Sequence, residues 1–526
     1  MKVKRLIGVA ALTMGLFGVL GCGNSTTEVK NPDQLTFVNF RDIRDLNPHL
    51  YAGEMYAQEL LYDTLVQITD TGYGPGLAEK WDISEDGLTY TFHIRKDMKF
   101  SDGEVLDANA IKANFDAIMD NKSRHTWLES LDLITGYEAT DANTFVIHLS
   151  KPYYPLLTEL GVTRPFAMIS PKSMKNGTTK DGVTAYVGSG PYKLTEVVTD
   201  KYAVFEVNEN YWGEKPKVKK IVVKVIPDNQ TRILALEKGE IDLIFGKNMV
   251  DADAIRKFKD MKGFKTDLSK PTSTRQIVIN TTKPGLNDKA VRYALQYATD
   301  KQKISEGIFY GLEPAAGTLF ATSVPYADVG LKPYEYSADK AKSTLSDAGY
   351  VLGADGIYTK DGKPLEFSLL YNADSVTEKN IAEFLQAEYK KIGIKLNIKG
   401  EEEQSYRDNM KAGNFDLVFN ISWGTPYDPQ SSLSAMRRPV YGDFAAQQGL
   451  ADKAEIDAAI TEILTSTDET KRKDLYKFVL TRLHEDAVYI PLTYETNKAI
   501  YNSRVQGVHF MPTQYEVPFK DMSLSK

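Results

Sequence analysis

The sequence predicts an α/β protein built on mixed sheets. Period-two alternation of apolar and polar residues marks strands at several places. Helical patterns with recognisable caps lie between other strand-like runs. The two kinds of pattern are interleaved along the whole chain, which favours mixed α/β layers over separate all-α and all-β domains.

The elements follow in order. Leu88, Tyr90, Phe92 and Ile94 alternate with Thr89, Thr91, His93 and Arg95, predicting a half-buried strand after a turn at Glu85-Asp86-Gly87. A shorter run at Trp81 and Ile83 precedes that turn, and Phe145, Ile147 and Leu149 repeat the pattern. Lys219 to Ile226 reads as a β-branched strand. Asp228 is placed to cap a helix from Gln230 to Lys238, which Gly239 ends before a strand from Ile241 to Phe245. Ile381, Phe384, Leu385 and Ile392 mark one face of a later helix. Gly393 closes it, and Ile394, Leu396 and Ile398 alternate as a strand. A strand is expected to begin at Thr274 and run to Asn280, and another lies around Tyr489 to Thr493. Domain boundaries are expected near Pro271 and Thr493.

The chain has 526 residues, 42% of them hydrophobic, so it can bury large cores in two to four domains. Its 64 basic residues against 71 acidic ones leave a net charge of −7, which argues against a nucleic-acid partner. One Cys allows neither an internal disulfide nor a Cys-rich zinc site.

That residue is Cys22. Lys2, Lys4 and Arg5 form a positive start, and Leu6 to Leu20 are uncharged and mostly apolar, too short to span a bilayer. Residues 1–21 therefore read as a signal peptide. Val19-Leu20-Gly21-Cys22 resembles a bacterial lipobox, in which the Cys is acylated and becomes the new N-terminus. An ordinary signal peptide with an incidental Cys is the other reading. Residues 22–33 are polar and aperiodic, a tether between lipid and body. Removing residues 1–21 takes away three basic residues and no acid, so the mature charge falls from −7 to −10.

Motifs of catalysis are absent: the sequence has no GxxxxGK[ST] loop and no GxSxG elbow. His484-Glu485 begins like HExxH, but Val488 stands where the second ligand is needed. The six His form no HxH or HxxxH pair, so a grip on a bare metal ion through several side chains is not expected. The chain is read as a non-enzyme.

Several segments together carry a resemblance. Gly76-Leu77-Ala78-Glu79-Lys80-Trp81, Ser84-Glu85-Asp86-Gly87-Leu88-Thr89-Tyr90-Thr91-Phe92 and Lys99-Phe100-Ser101-Asp102-Gly103-Glu104 resemble the signature of the family 5 extracellular solute-binding proteins of ABC importers. Gly188-Ser189-Gly190-Pro191-Tyr192, Asn208-Glu209-Asn210-Tyr211-Trp212-Gly213 and Ala290-Val291-Arg292-Tyr293-Ala294-Leu295 extend it, over about 34–526. Leu46-Asn47-Pro48-His49-Leu50-Tyr51, Arg124-His125-Thr126-Trp127 and Trp423-Gly424-Thr425-Pro426-Tyr427-Asp428-Pro429 are most similar to the nickel and metal-chelate branch.

The resemblance implies a two-lobed periplasmic-binding-protein-like (class II) fold with two hinge crossings. Lobe I would be 34–271 plus 496–526, and lobe II 272–495. It implies capture of a Ni²⁺ chelate, with two histidines or an opine-type metallophore, and delivery to ABC permease subunits. No cofactor and no nucleic acid are implied. The protein would be a monomer, extracytoplasmic, and tied to the cell membrane only through lipid on Cys22. An oligopeptide or dipeptide cargo is the alternative.

The resemblance also implies a residue set. Arg124 and Arg164 would pair with chelator carboxylates, which guanidinium groups do bidentately. Trp127 and Trp423 would supply flat apolar walls, with Tyr51, Met55, Tyr427 and Tyr515 lining the rest. Arg437 or Arg438 would help hold the ligand. Family members that place a protein His on the metal carry it where Tyr441 stands here, and a phenol is the poorer Ni²⁺ ligand. Direct coordination is therefore not expected, and the metal would be held through its chelator. Each residue also has a plainer reading: surface ion pairs for the arginines, core packing for the tryptophans and Met55.

Overall fold

The computed structural model describes residues 31–69, 72–424 and 426–525. The signal peptide, Cys22 and nearly all of the tether lie outside them. The fold is mixed α/β, organised around one sheet of ten strands. These are β1 (Gln34–Asn39), β2 (Tyr192–Val198), β3 (Tyr202–Val207), β4 (Lys220–Val225), β5 (Leu243–Gly246), β6 (Phe264–Ile279), β7 (Glu366–Asn372), β8 (Lys395–Glu401), β9 (Leu417–Ile421) and β10 (Tyr489–Asn502). Their spatial order is β2-β3-β4-β1-β5-β10-β6-β9-β7-β8.

Strands from the first half of the chain thus fill one side of the sheet and strands from the second half fill the other. β6 and β10 run antiparallel down the middle. Each flank has a parallel pair, β1 with β4 and β7 with β8, and β7 and β8 are joined directly through the helix Val376–Lys391. The predicted caps are present. The Asp228 carboxylate accepts from the Thr231 amide at 2.7 Å and opens the helix Asn229–Glu237. Gly393, at φ +74°, lets the chain turn from the helix Val376–Lys391 into β8. Tyr90, Phe92 and Ile94 are buried as their alternation requires, in a four-stranded sheet packed outside the main one.

One expectation is corrected. The strand predicted to start at Thr274 starts at Phe264 and runs through Pro271. Proline is tolerated because the ladder to β10 shifts register on both sides of it, so its missing amide breaks no regular pair. The first half of β6 carries charges such as Lys265, Asp267 and Lys270, and its side chains alternate in exposure. From Thr272 onward every residue is buried. Both expected boundaries, 271 and 493, fall inside these two long strands.

One apolar cluster packs around Leu35, Phe37, Ile221 and Leu243, another around Ile277, Leu295, Leu385 and Phe419. A third joins Leu156 and Leu157 to Leu464 and Leu480, so apolar contact is continuous between the two halves. Polar contacts add to it: the Tyr154 amide donates to the Leu464 carbonyl at 2.7 Å, and the Tyr154 hydroxyl donates to Glu469 at 2.7 Å. No helix among the described residues is long and apolar enough to cross a membrane.

Candidate binding site

The two halves meet at four aromatic rings. Trp127 comes from the loop after the turn Lys122–Arg124, and Trp423 from the loop after β9. Their centroids lie 5.9 Å apart at 78°. Tyr427 stands 5.5 Å from Trp127 and 6.2 Å from Trp423, and Tyr441 lies 5.4 Å from Trp423, all edge to face. These are favourable geometries for the ring quadrupoles.

The loop that carries Trp423 and Tyr427 is tightly specified. Asp428 Oδ2 accepts from Ser422 Oγ at 2.6 Å and from the Gly424 amide at 2.8 Å. Gly424 has φ +77°, and a Cβ there would lie 2.6 Å from the Thr272 carbonyl oxygen, so only glycine fits. Gln514 Nε2 donates to the Trp423 carbonyl at 2.5 Å, tying this loop to the C-terminal segment.

Arg164 lies beside this cluster, with its guanidinium carbon 5.2 Å from the Tyr51 ring centroid. Its Nη2 donates to the carbonyls of Ala52 (2.6 Å) and Gly53 (3.0 Å) and to Gln58 Oε1 (3.0 Å). Its Nε is sealed from solvent and meets no acceptor. Every partner is neutral, and among the described residues no carboxylate pairs with it. Burial pushes its pKa below the ordinary arginine value, against the opposing influence of Tyr51, Tyr427 and Glu54.

The other predicted residues fall into two groups. Tyr51 is 57% exposed and Tyr515 50% exposed, each leaving a broad face open to a ligand. Met55 begins the helix Met55–Leu61 and borders the same cavity as Tyr427 and Tyr515. Arg124 is exposed and ends its turn without an ion pair among the described residues. Its neighbour His125 is fully buried, with Nε2 2.9 Å from the His49 carbonyl. Burial first, and then the charges of Arg164 and Arg124, hold its pKa below the usual range, so it stays neutral. Burial likewise pushes the Tyr441 and Tyr427 phenols well above theirs. Neither ring is disposed to become a phenolate ligand.

Arg437 is the residue that the structure moves away from this group. Its Nη2 pairs with Glu129 Oε2 at 2.7 Å and its Nη1 donates to Thr461 at 2.8 Å. Glu129 also takes the Ser434 hydroxyl and Lys151. Burial alone would raise the Glu129 carboxyl, but Arg437, Ser434, Arg438 and Lys151 bring it below its ordinary value. Arg437 is thus a bridge between the halves of the chain. Arg438 donates to the Trp127 carbonyl at 3.0 Å and so holds that ring in place.

Four residues escaped the sequence reading. Gln58 orients Arg164, Gln514 ties two segments, and Arg407 is near enough to Tyr441 to act on its phenol. Glu59 borders the cavity beside Met55. For Gln58 and Glu59 a signal existed: they stand three and four positions after Met55, on the same helix face.

A two-lobed α/β body with an aromatic, arginine-bearing site between the halves of the chain defines the class of solute-binding proteins. Residues 72–443 match the model of the bacterial extracellular solute-binding proteins, family 5 Middle, and the chain belongs to that family. It is 42% identical over 518 residues to the nickel-binding periplasmic protein of Escherichia coli K12, covering 98% of this chain and 99% of that one. It is 27% identical over 488 residues to the dipeptide-binding protein of the same organism, covering 88% and 89%. The crystal structure of NikA from Brucella suis in complex with Fe(III)-EDTA superposes with a TM-score of 0.91 at 45% identity, over 94% of this chain and all of that one.

Proposed function

We propose that this protein captures a nickel chelate, or that of a similar divalent metal, in the cleft beside Trp127 and Trp423 and delivers it to an ABC permease. The observation that carries the reading is Arg164: a half-buried guanidinium, held in position by neutral acceptors and in no direct ion pair among the described residues. A chelator whose carboxylates face outward supplies an anion. The aromatic faces flank the complex, and the phenols of Tyr441 and Tyr427 stay neutral, so the protein grips the chelate from outside the metal. The Brucella relative binds a metal already wrapped in a polycarboxylate, and the Escherichia coli relative is named for nickel; both support this cargo.

In the same proposal the lobes are 34–271 plus 496–526 and 272–495, parting within β6 and β10. Tyr51, Met55, Arg124, Arg164, Trp127, Trp423, Tyr427, Tyr441 and Tyr515 surround the ligand, while Arg437 closes the lobes over it. The mature N-terminus at Cys22 holds a monomeric, non-catalytic body outside the cytoplasmic membrane.

Titration calorimetry tests this with bare Ni²⁺, with Ni²⁺ plus excess histidine, and with a Ni²⁺–opine metallophore complex. Binding is expected only in chelator-containing arms. Tight binding of bare Ni²⁺ with no gain from either chelator overturns the reading. A peptide ladder released from natively purified protein favours the dipeptide alternative, which the 27% relative keeps open.

A further inference from the structure

Glu59 lies one helical turn beyond Met55, and its Oε2 is sealed from solvent and meets no donor. Burial raises its pKa, the nearby Glu516 carboxyl raises it further, and Arg164 acts in the opposite sense. Burial raises Glu516 as well, although Thr513 Oγ1 donates to its Oε2 at 3.1 Å and Lys520 and His509 oppose the shift. Two carboxyl groups thus compete for the same low-dielectric space. A cation placed between them would relieve that competition.

Both border a cavity of about 150 Å³. Met55, Tyr427 and Tyr515 form part of its wall, so it adjoins the proposed chelate site. Its remaining charges are Asp63, Asp521 and Lys520. Asp63 is already engaged, accepting from Trp212 Nε1 at 2.8 Å and Ser189 Oγ at 3.0 Å, and Lys520 is exposed at the rim. The wall therefore has an excess of carboxyl groups, and Glu59 Oε2 meets no donor, just as the Tyr56 and Tyr62 hydroxyls on the same wall meet no partner. An anionic group would be repelled here, and an aliphatic arm would leave Glu59 Oε2 unpaired. Liquid water takes about 30 Å³ per molecule, so the space suits a short chain ending in one polar group. Among the described residues no three His, Cys, Asp or Glu side chains are grouped to hold a bare ion, which favours an organic cation here.

We propose that this cavity receives a cationic nitrogen arm of the chelator, with Glu59 as its main acceptor and Glu516 as the second. The proposal deepens the chelate reading and rests on it. It narrows the substrate class to chelators that put carboxylates around the metal, for Arg164, and a basic group on a side arm.

Three Ni²⁺ complexes with one chelating core test it: nitrilotriacetate, Nα,Nα-bis(carboxymethyl)-L-lysine, and the Nε-acetylated form of the latter. The lysine-derived complex is expected to bind roughly tenfold or more tightly than the nitrilotriacetate complex, from one charge-assisted hydrogen bond. Acetylation is expected to remove that gain, and Glu59→Gln to bring the ratio of the two affinities close to one. Glu516→Gln, expected to reduce the ratio, serves if Glu59→Gln does not fold. Equal binding of all three complexes, or a ratio that survives Glu59→Gln, overturns the arm cavity and leaves the chelate reading standing. Binding of none of them overturns the chelate reading, and the arm cavity with it.

Discussion

Arg275 is buried and Arg164 half-buried, and their surroundings are opposite. Arg275, on β6, is 5% exposed and sits among carboxylates, with Nη2 2.6 Å from Glu495 Oε1 and Nε 3.5 Å from Glu313. Burial alone would lower its pKa, but Glu495, Glu313 and Glu378 raise it above the ordinary value. Glu495 in turn receives Lys247 at 2.9 Å and Ser273 at 2.6 Å, which hold its carboxyl well below the usual range. This network joins the two central strands. Arg164 has the same headgroup, only carbonyl and amide acceptors, and a pKa moved the other way. A buried arginine that the protein has already neutralised serves the fold. One with no carboxylate partner is the proposed ligand contact.

The largest expected effect falls on the neutralised arginine. Arg275→Met takes the nearest cation from Glu313 and leaves Glu495 with Lys247 and Ser273 alone, and is expected to cost about 3–5 kcal/mol in urea unfolding. A loss under about 1 kcal/mol would show that the network adds little to the fold. The pH dependence sharpens the point. Glu495 is depressed in the folded state, so its contribution is fully present above the ordinary glutamate range and is lost progressively as pH falls below that range toward the much lower folded value. The stability gap between wild type and Glu495→Gln is expected to narrow below about pH 4. A gap that widens on acidification contradicts that sign.

Arg164→Met reverses the pattern. It is expected to weaken binding of a Ni²⁺ carboxylate chelate by about 2–3 kcal/mol, roughly 30- to 150-fold, while the unfolding midpoint stays near wild type. If it unfolds as readily as Arg275→Met, the distinction between the two arginines fails. Trp127→Ala removes one aromatic wall and its contacts to Trp423 and Tyr427. An affinity loss of about 1–2 kcal/mol is expected by calorimetry. Arg437→Gln is expected to do least, a few-fold loss of affinity at most, because Glu129 retains Lys151 and Ser434. A hundredfold loss there would return Arg437 to the ligand.

How much of this was legible beforehand depends on the range of the interaction involved. The cap at Asp228 and the alternation from Leu88 to Arg95 are local, and both predicted the elements that formed. The clustering of the rings was legible because tryptophan is scarce here, four in the chain, and two fall in the segments most similar to the nickel and metal-chelate branch. The start of β6 was misplaced because Pro271 looks like a breaker until its partner strand supplies the register shift. The pairing of Arg437 with Glu129 was not legible, because the two lie 308 positions apart. The lack of a charge partner at Arg164 is a property of the folded surroundings alone. No local pattern encodes it.

The central claim is that the protein holds a metal chelate from the outside, with Arg164 on its carboxylates. A crystal structure of the protein loaded with a Ni²⁺ carboxylate chelate tests it most directly. The account predicts a chelator carboxylate within hydrogen-bond distance of the Arg164 guanidinium, and a metal whose ligands all come from chelator or water. A protein side chain bound to the nickel, or a chelate seated away from Arg164, would contradict it.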